Sequence, residues 1–233
     1  MSRPTLLLFD IDGTLVTTPG VGRRALDRVL AARLGRADLL HDVGFGGMTD
    51  RAIVRAALAR AGALARGAAA ETAIDAILAE YVPALEAELA ACTGFDAHPG
   101  VRDVLAALDG RAGVAIGLGT GNVRPGAAAK LGRVGILRHF AFGGFGCDHE
   151  DRAELLRVGV VRGAATLGVA AGSCRVVVVG DTPRDVAAAT EIGAESIGVA
   201  TCGFGTADLL ASGATRAFDD MTAAGFVDVL VGG

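Results

Sequence analysis

The sequence predicts an α/β fold: a parallel sheet with helices on both faces, into which a separate helical domain is inserted. Short apolar runs at residues 5–9, 114–118, 140–145, 175–179 and 196–200 have the length and character of buried strands. Helical patterns at residues 101–109, 125–134, 151–167 and 183–192 alternate with the later runs, and that alternation calls for a parallel sheet. From about Thr17 to Phe95 no strand pattern occurs.

Taken in order, Thr5 to Phe9 is a strand that ends in charge at Asp10. The long strandless stretch comes next, with alanine- and leucine-rich helices expected at residues 21–34, 50–61 and 69–92, the last broken near Pro83. This is too much for a simple crossover, so residues 1–16 and 97–233 are expected to form the core and residues 17–96 an inserted helical domain. Hinges are expected at residues 17–20 and 93–100. Length allows this two-part division of 233 residues.

The chain carries 22 basic and 26 acidic residues and only 4% aromatics, which argues against a nucleic-acid surface. Neither an apolar run of membrane-spanning length nor a basic tract suggests membrane binding. Cys92, Cys147, Cys174 and Cys202 make no C-x-x-C pair, so neither a zinc site nor a disulfide framework is indicated, and a cytoplasmic protein, monomer or homodimer, is expected.

Four strand ends carry the chemistry. In Phe9-Asp10-Ile11-Asp12-Gly13-Thr14-Leu15, strand alternation lets Asp10 and Asp12 face one way while Ile11 faces the core. Two carboxylates at a strand's carboxyl end repel one another unless a cation lies near, and hard oxygen ligands favour magnesium. An EF-hand is ruled out, because its sixth and twelfth positions would be Leu15 and Val21; a plain Asp-Gly turn stays open. Gly180-Asp181-Thr182-Pro183-Arg184-Asp185 comes after the strongest apolar run. Helix capping explains Thr182, Pro183 and much of Asp185, but not Asp181, which a metal shared with Asp10 would explain. Gly117-Leu118-Gly119-Thr120-Gly121-Asn122 precedes a helix, where backbone N–H groups suit an anion. Arg152 stands in the first turn of a helix capped by Asp151 and Glu154, a place disfavoured for a cation unless a phosphate is bound.

Together these residues resemble the haloacid dehalogenase-like hydrolase superfamily, in its phosphatase members with a helical cap after the first strand, similar to phosphoglycolate phosphatases. The resemblance covers essentially the whole chain. It implies a Rossmann-like core, an α-helical cap, Mg2+ and an aspartyl-phosphate intermediate. Asp10 would be nucleophile and metal ligand. Asp12 would be general acid and base, with its backbone carbonyl on the metal. Asp181 would bind metal and Asp185 would support it directly or through water. Thr120 would hold the phosphate, with Gly13, Gly121 and Asn122 beside it. The family usually places a lysine in its third motif; here that role falls to Arg152, and Lys130, the sole lysine among 22 basic residues, is expected to be structural or on the surface.

In the cap, Met48 and Arg51 of the loop Phe45-Gly46-Gly47-Met48-Thr49-Asp50-Arg51, together with Arg124, are candidate contacts for an anionic substrate, while Thr49 or Asp50 serves equally well as a helix cap. The expected activity is hydrolysis of a small phosphorylated metabolite. A phosphomutase and a catalytically silent phospho-ligand binding module are the alternatives. Dehalogenation is disfavoured by the presence of Asp12, and Schiff-base phosphonate cleavage by the lack of any lysine in residues 17–95.

Overall fold

The computed structural model describes residues 3–17 and 19–232, so Thr18, within the first expected hinge, lies outside the described residues. In chain order the elements are β1 (Thr5–Phe9), α1 (Val21–Leu34), α2 (Asp50–Arg60), α3 (Ala68–Ala91), α4 (Val101–Leu108), β2 (Val114–Thr120), α5 (Arg124–Arg133), β3 (Phe142–Phe145), α6 (Arg152–Thr166), β4 (Arg175–Gly180), α7 (Pro183–Glu191), β5 (Glu195–Val199), α8 (Thr206–Ala211), β6 (Arg216–Phe218) and α9 (Phe226–Val231). The strands pair in parallel in the order β3-β2-β1-β4-β5-β6.

β1 lies at the centre and is buried throughout, as a strand covered on both faces must be. Its side chains divide by period two. Leu7 and Phe9 join one apolar cluster, and Leu6 and Leu8 the other. The first cluster runs on into the inserted helices through residues such as Leu26, Ile53, Ile74 and Leu85. There α3 packs on α1, α2 and α5, and Glu88 of α3 accepts from Arg24 of α1 at 2.8 Å and also pairs with Arg28.

The second face is covered largely by α6, which docks through glycines. A Cβ at Gly144 would run into the Leu155 carbonyl, one at Gly119 into the Leu156 side chain, and one at Gly163 into the Phe142 ring. The missing side chains let α6 lie close on β1, β2 and β3, and this sets where its first residue, Arg152, meets the strand ends.

Three sequence expectations change. α3 runs unbroken through Pro83; its packing on three neighbouring helices outweighs the lost backbone donor. β3 begins at Phe142 because Phe140 closes a 3₁₀ turn over Leu137–His139. Beyond the expected elements the chain adds α8, β6 and α9, pieces too short for a clear period. Among the described residues no helix is long and apolar enough to cross a membrane.

A Gly144→Ala variant is expected to lose about 1–3 kcal/mol of stability by pushing α6 off the sheet, read as a lowered thermal midpoint. A midpoint equal to that of the unsubstituted chain would refute the close docking.

Candidate active site

Chain order reverses across the sheet at β1 and β4: β2 lies on one side of β1, and β4 on the other. Ligands of open parallel sheets bind at such a switch point, outside the strand carboxyl ends. Here the Asp10 N–H extends the β1–β4 pairing by donating to the Val179 carbonyl at 2.9 Å. Ile11 then turns into the core, fully buried, and its carbonyl accepts from Thr14, Leu15 and Val16 at 2.9–3.3 Å. Gly13 at φ 82° completes this tight loop, and a Cβ there would collide with the Asp181 carboxylate. Thr14 Oγ1 donates to Asp181 Oδ1 at 2.8 Å, joining the loop after β1 to the one after β4.

Asp10, Asp181 and Asp185 are all buried, with carboxylate oxygens within 4.8 Å of one another. Arg152 enters this cluster from α6, 3.0 Å from Asp10 Oδ1 and in contact with Asp185 Oδ1. The latter contact is an ion pair outside hydrogen-bond geometry, since Asp185 Oδ1 has no hydrogen-bond partner among the described residues. The other Asp185 oxygen accepts from the Thr182 N–H at 3.1 Å and its hydroxyl at 2.6 Å in a capping box. One carboxylate thus both caps α7 and faces the site.

A second cation serves Asp12. Lys130 Nζ donates to its two oxygens at 2.7 and 2.5 Å and to Asn122 Oδ1 at 2.6 Å. Asn122 Nδ2 in turn donates to Asp12 Oδ2 at 2.7 Å and Thr120 Oγ1 at 2.9 Å. The surface half of the expectation for Lys130 is therefore corrected: it is buried in the cleft. It occupies the inner stripe of α5 with Gly126, Ala127 and Leu131, and helical spacing aims it at the end of β1.

Burial holds the Asp10 carboxyl above the usual carboxylate range, against the pull of Arg152 and with a push from Asp185 and Asp12. Burial, then Asp185 and Asp10, raises Asp181 further. Ionising all three buried carboxylates against one guanidinium would leave negative charge uncompensated, and their hard oxygens suit a divalent cation that would supply the balance.

A cavity of about 270 Å³ opens over these residues, lined at its floor by Asp10, Asp12, Asp181, Asn122, Lys130 and Arg152. Of the expected substrate contacts, Met48 and Gly121 lie in its wall, tied together by the Asp50 N–H donating to the Gly121 carbonyl at 2.8 Å. Thr120 is fully buried beneath Asn122.

Two arginines are elsewhere. Arg51 pairs with Glu71 at 2.5 Å and with Asp75, and Arg124 stacks on the Phe145 ring at 4.3 Å; neither lines the cavity. On a helix's first turn each has a local partner, so the anion-contact expectation for both is corrected. Unforeseen in the wall are Arg23 and Tyr81, and also Asp50, which the sequence presents only as a cap. Thr49 takes the cap, accepting from Ala52 N at 3.2 Å, and frees Asp50 to accept from Val123 N at 2.8 Å. A carboxylate beside a capping threonine is the available signal.

The fold is of the α/β class with a carboxylate cluster at its switch point, and family comparison identifies the chain as a hydrolase. The model for haloacid dehalogenase-like hydrolases matches residues 4–193, and the chain belongs to that family. Among solved structures it is similar to a hydrolase from Pseudomonas syringae, at 20% identity over 94% of both chains with a TM-score of 0.66. It is similar also to CbbY from Rhodobacter sphaeroides in complex with phosphate, at 21% identity over 97% of this chain and 100% of that one, TM-score 0.66. A third structure, described as a predicted phosphoglycolate phosphatase from Haemophilus somnus 129pt, matches at 20% identity over 99% and 98%, TM-score 0.67. At these identities the likeness is one of fold. No protein of curated function matches the sequence.

Burial raises the Asp50 carboxyl from 3.8 to about 6, against Lys130 and the Val123 N–H. Because the folded value lies above the unfolded one, Asp50 costs nothing below about pH 4. Its cost grows as pH rises through the window to about 6 and then levels near roughly 3 kcal/mol. Asp50→Asn is expected to unfold at a higher temperature than the unsubstituted chain at pH 8, the gap closing at pH 4. A gap that widens on acidification would contradict the assignment.

Proposed function

We propose that the chain is a magnesium-dependent phosphatase that hydrolyses a small phosphorylated metabolite through an aspartyl-phosphate on Asp10. The observation that carries this reading is the arrangement of two neighbouring aspartates with separate cationic partners: Asp10 3.0 Å from Arg152, and Asp12 clasped by Lys130 and Asn122. One carboxylate is suited to attack and the other to move protons. Residues 17–96 act as the cap over this cleft, and the reading carries a cytoplasmic monomer or homodimer.

Asp10, Asp181, with Asp185 directly or through water, and the Asp12 backbone carbonyl would hold Mg2+. Bound there, it supplies positive charge to a phosphate dianion facing a carboxylate. Arg152 lowers the same repulsion and orients the phosphoryl group. The Thr120 hydroxyl, whose oxygen accepts from Asn122 N and Nδ2 at 3.3 and 2.9 Å, keeps its proton for a phosphate oxygen. An Asp10 oxygen attacks phosphorus as the bond to the leaving oxygen breaks, and Asp12, which enters this step protonated and so gives up one of its two Lys130 contacts, hands its proton to that oxygen. Asp12 then takes a proton from water as the water oxygen attacks phosphorus, and Asp10 leaves as carboxylate with inorganic phosphate. Lys130 and Asn122 hold Asp12 in one orientation for both transfers.

Asp10→Asn is expected to slow phosphate release from an aryl phosphate by at least roughly a thousandfold, and EDTA to stop it until Mg2+ is restored. Full release by the Asn variant sinks the nucleophile assignment, and sugar-phosphate isomerisation without free phosphate would favour a mutase. Lys130→Met is expected to lower kcat by about a hundredfold with little change in KM; unchanged kcat would make the contact with Asp12 merely structural.

A further inference from the structure

Building on the phosphatase reading, we infer that the leaving group is an uncharged, hydroxylated alcohol of the sugar or polyol class, so that the substrate carries one phosphate and neither a carboxylate nor a second phosphate. The cavity wall holds three cations, Arg23, Lys130 and Arg152, and each is committed. Arg152 is shared by Asp10 and Asp185. Lys130 is shared by Asp12 and Asn122. Arg23 gives its two terminal nitrogens to the carbonyls of Leu40 and Val43, and lies 4.1 Å above the Phe45 ring. A second anionic group on the substrate would have to draw on a lysine whose three N–H groups are all used, an arginine turned to Asp10 and Asp185, and an arginine held by two carbonyls and the Phe45 ring.

It would also meet Asp50. That side chain is a carboxylate in the wall, which burial raises only to about 6, so it is charged at neutral pH. Its one side-chain hydrogen bond is to Val123 N, which leaves acceptor capacity for a substrate hydroxyl. The complementary donor is Tyr81, 1% exposed, lining the same cavity. Its phenol makes no hydrogen bond to the described residues, and burial, then Asp50 and Asp12, pushes it well above its ordinary range, so it keeps its proton. Its hydroxyl opens to the cavity, where a ligand acceptor can take its hydrogen bond. Tyr81 and Asp50 together offer a donor and an acceptor, set among apolar surface from Val21, Met48 and Ile53. A neutral polyol presents both kinds of group in return.

The test compares kcat/KM for phosphate release, with Mg2+, from glycerol 1-phosphate and hexose monophosphates against phosphoglycolate and the matching sugar bisphosphates. At least a tenfold preference for the neutral monophosphates is expected. Equal or better turnover of the carboxylate or bisphosphate overturns the inference and leaves the phosphatase reading standing; no release from any ester overturns both. Tyr81→Phe, which keeps the ring in the core, is expected to raise KM several-fold for the preferred polyol ester and to leave KM for phenyl phosphate unchanged. An equal effect on the two esters would make Tyr81 a packing residue and overturn its part in recognition.

Discussion

Mutual repulsion among carboxylates gathered at the ends of β1 and β4 is the constraint around which the site is arranged. Four of them, Asp10, Asp12, Asp181 and Asp185, stand within one cleft, and no stretch of local sequence neutralises them. The compensating charges arrive from two different crossovers, Arg152 from α6 and Lys130 from α5. Each helix must therefore be held at a fixed depth on its side of the sheet. On the α6 side the glycines of β2, β3 and α6 provide this depth; on the α5 side α3 packs against it and braces it. Packing far from the chemistry fixes the spacing of charges within it.

The same cleft retains groups that work against folding. Asp181 and Asp50 are buried acids whose ionised forms are disfavoured where they stand. Tyr81 adds to the same wall a phenol whose hydroxyl opens to the cavity and has no hydrogen-bond partner among the described residues. Local rules broken without visible compensation concentrate at functional sites, and here they occur together in one cavity wall.

Much of this is legible in the sequence because it is encoded locally. Thr5 to Phe9 ending in Asp10, and Val176 to Val179 leading through Gly180 to Asp181, mark strands by unbroken apolar character and mark the site by the acids at their carboxyl ends. Arg152 stands out as a cation in the wrong part of a helix. The features hidden from the sequence are those that depend on which way a helix faces. Lys130 belongs to the cleft through its place on the buried stripe of α5, while Arg51 and Arg124, equally plausible by position, turn to Glu71, Asp75 and Phe145. Pro83 reads as a break in isolation and is overridden by the helices around α3. Tyr81 lies in the middle of a long helix with no motif around it, and only the assembled cavity gives its hydroxyl a meaning.

The chain's single lysine has a practical side that stems from its burial. At 3% exposure, with its ammonium clasped by Asp12 and Asn122, Lys130 is shielded from acylating reagents while the native packing lasts. The remaining basic side chains are arginines and histidines, so the folded surface offers amine-directed chemistry no lysine at all. Acylation at this position thus acts as an internal clock for opening of the cleft, its rate set by how often α5 and the end of β1 part company.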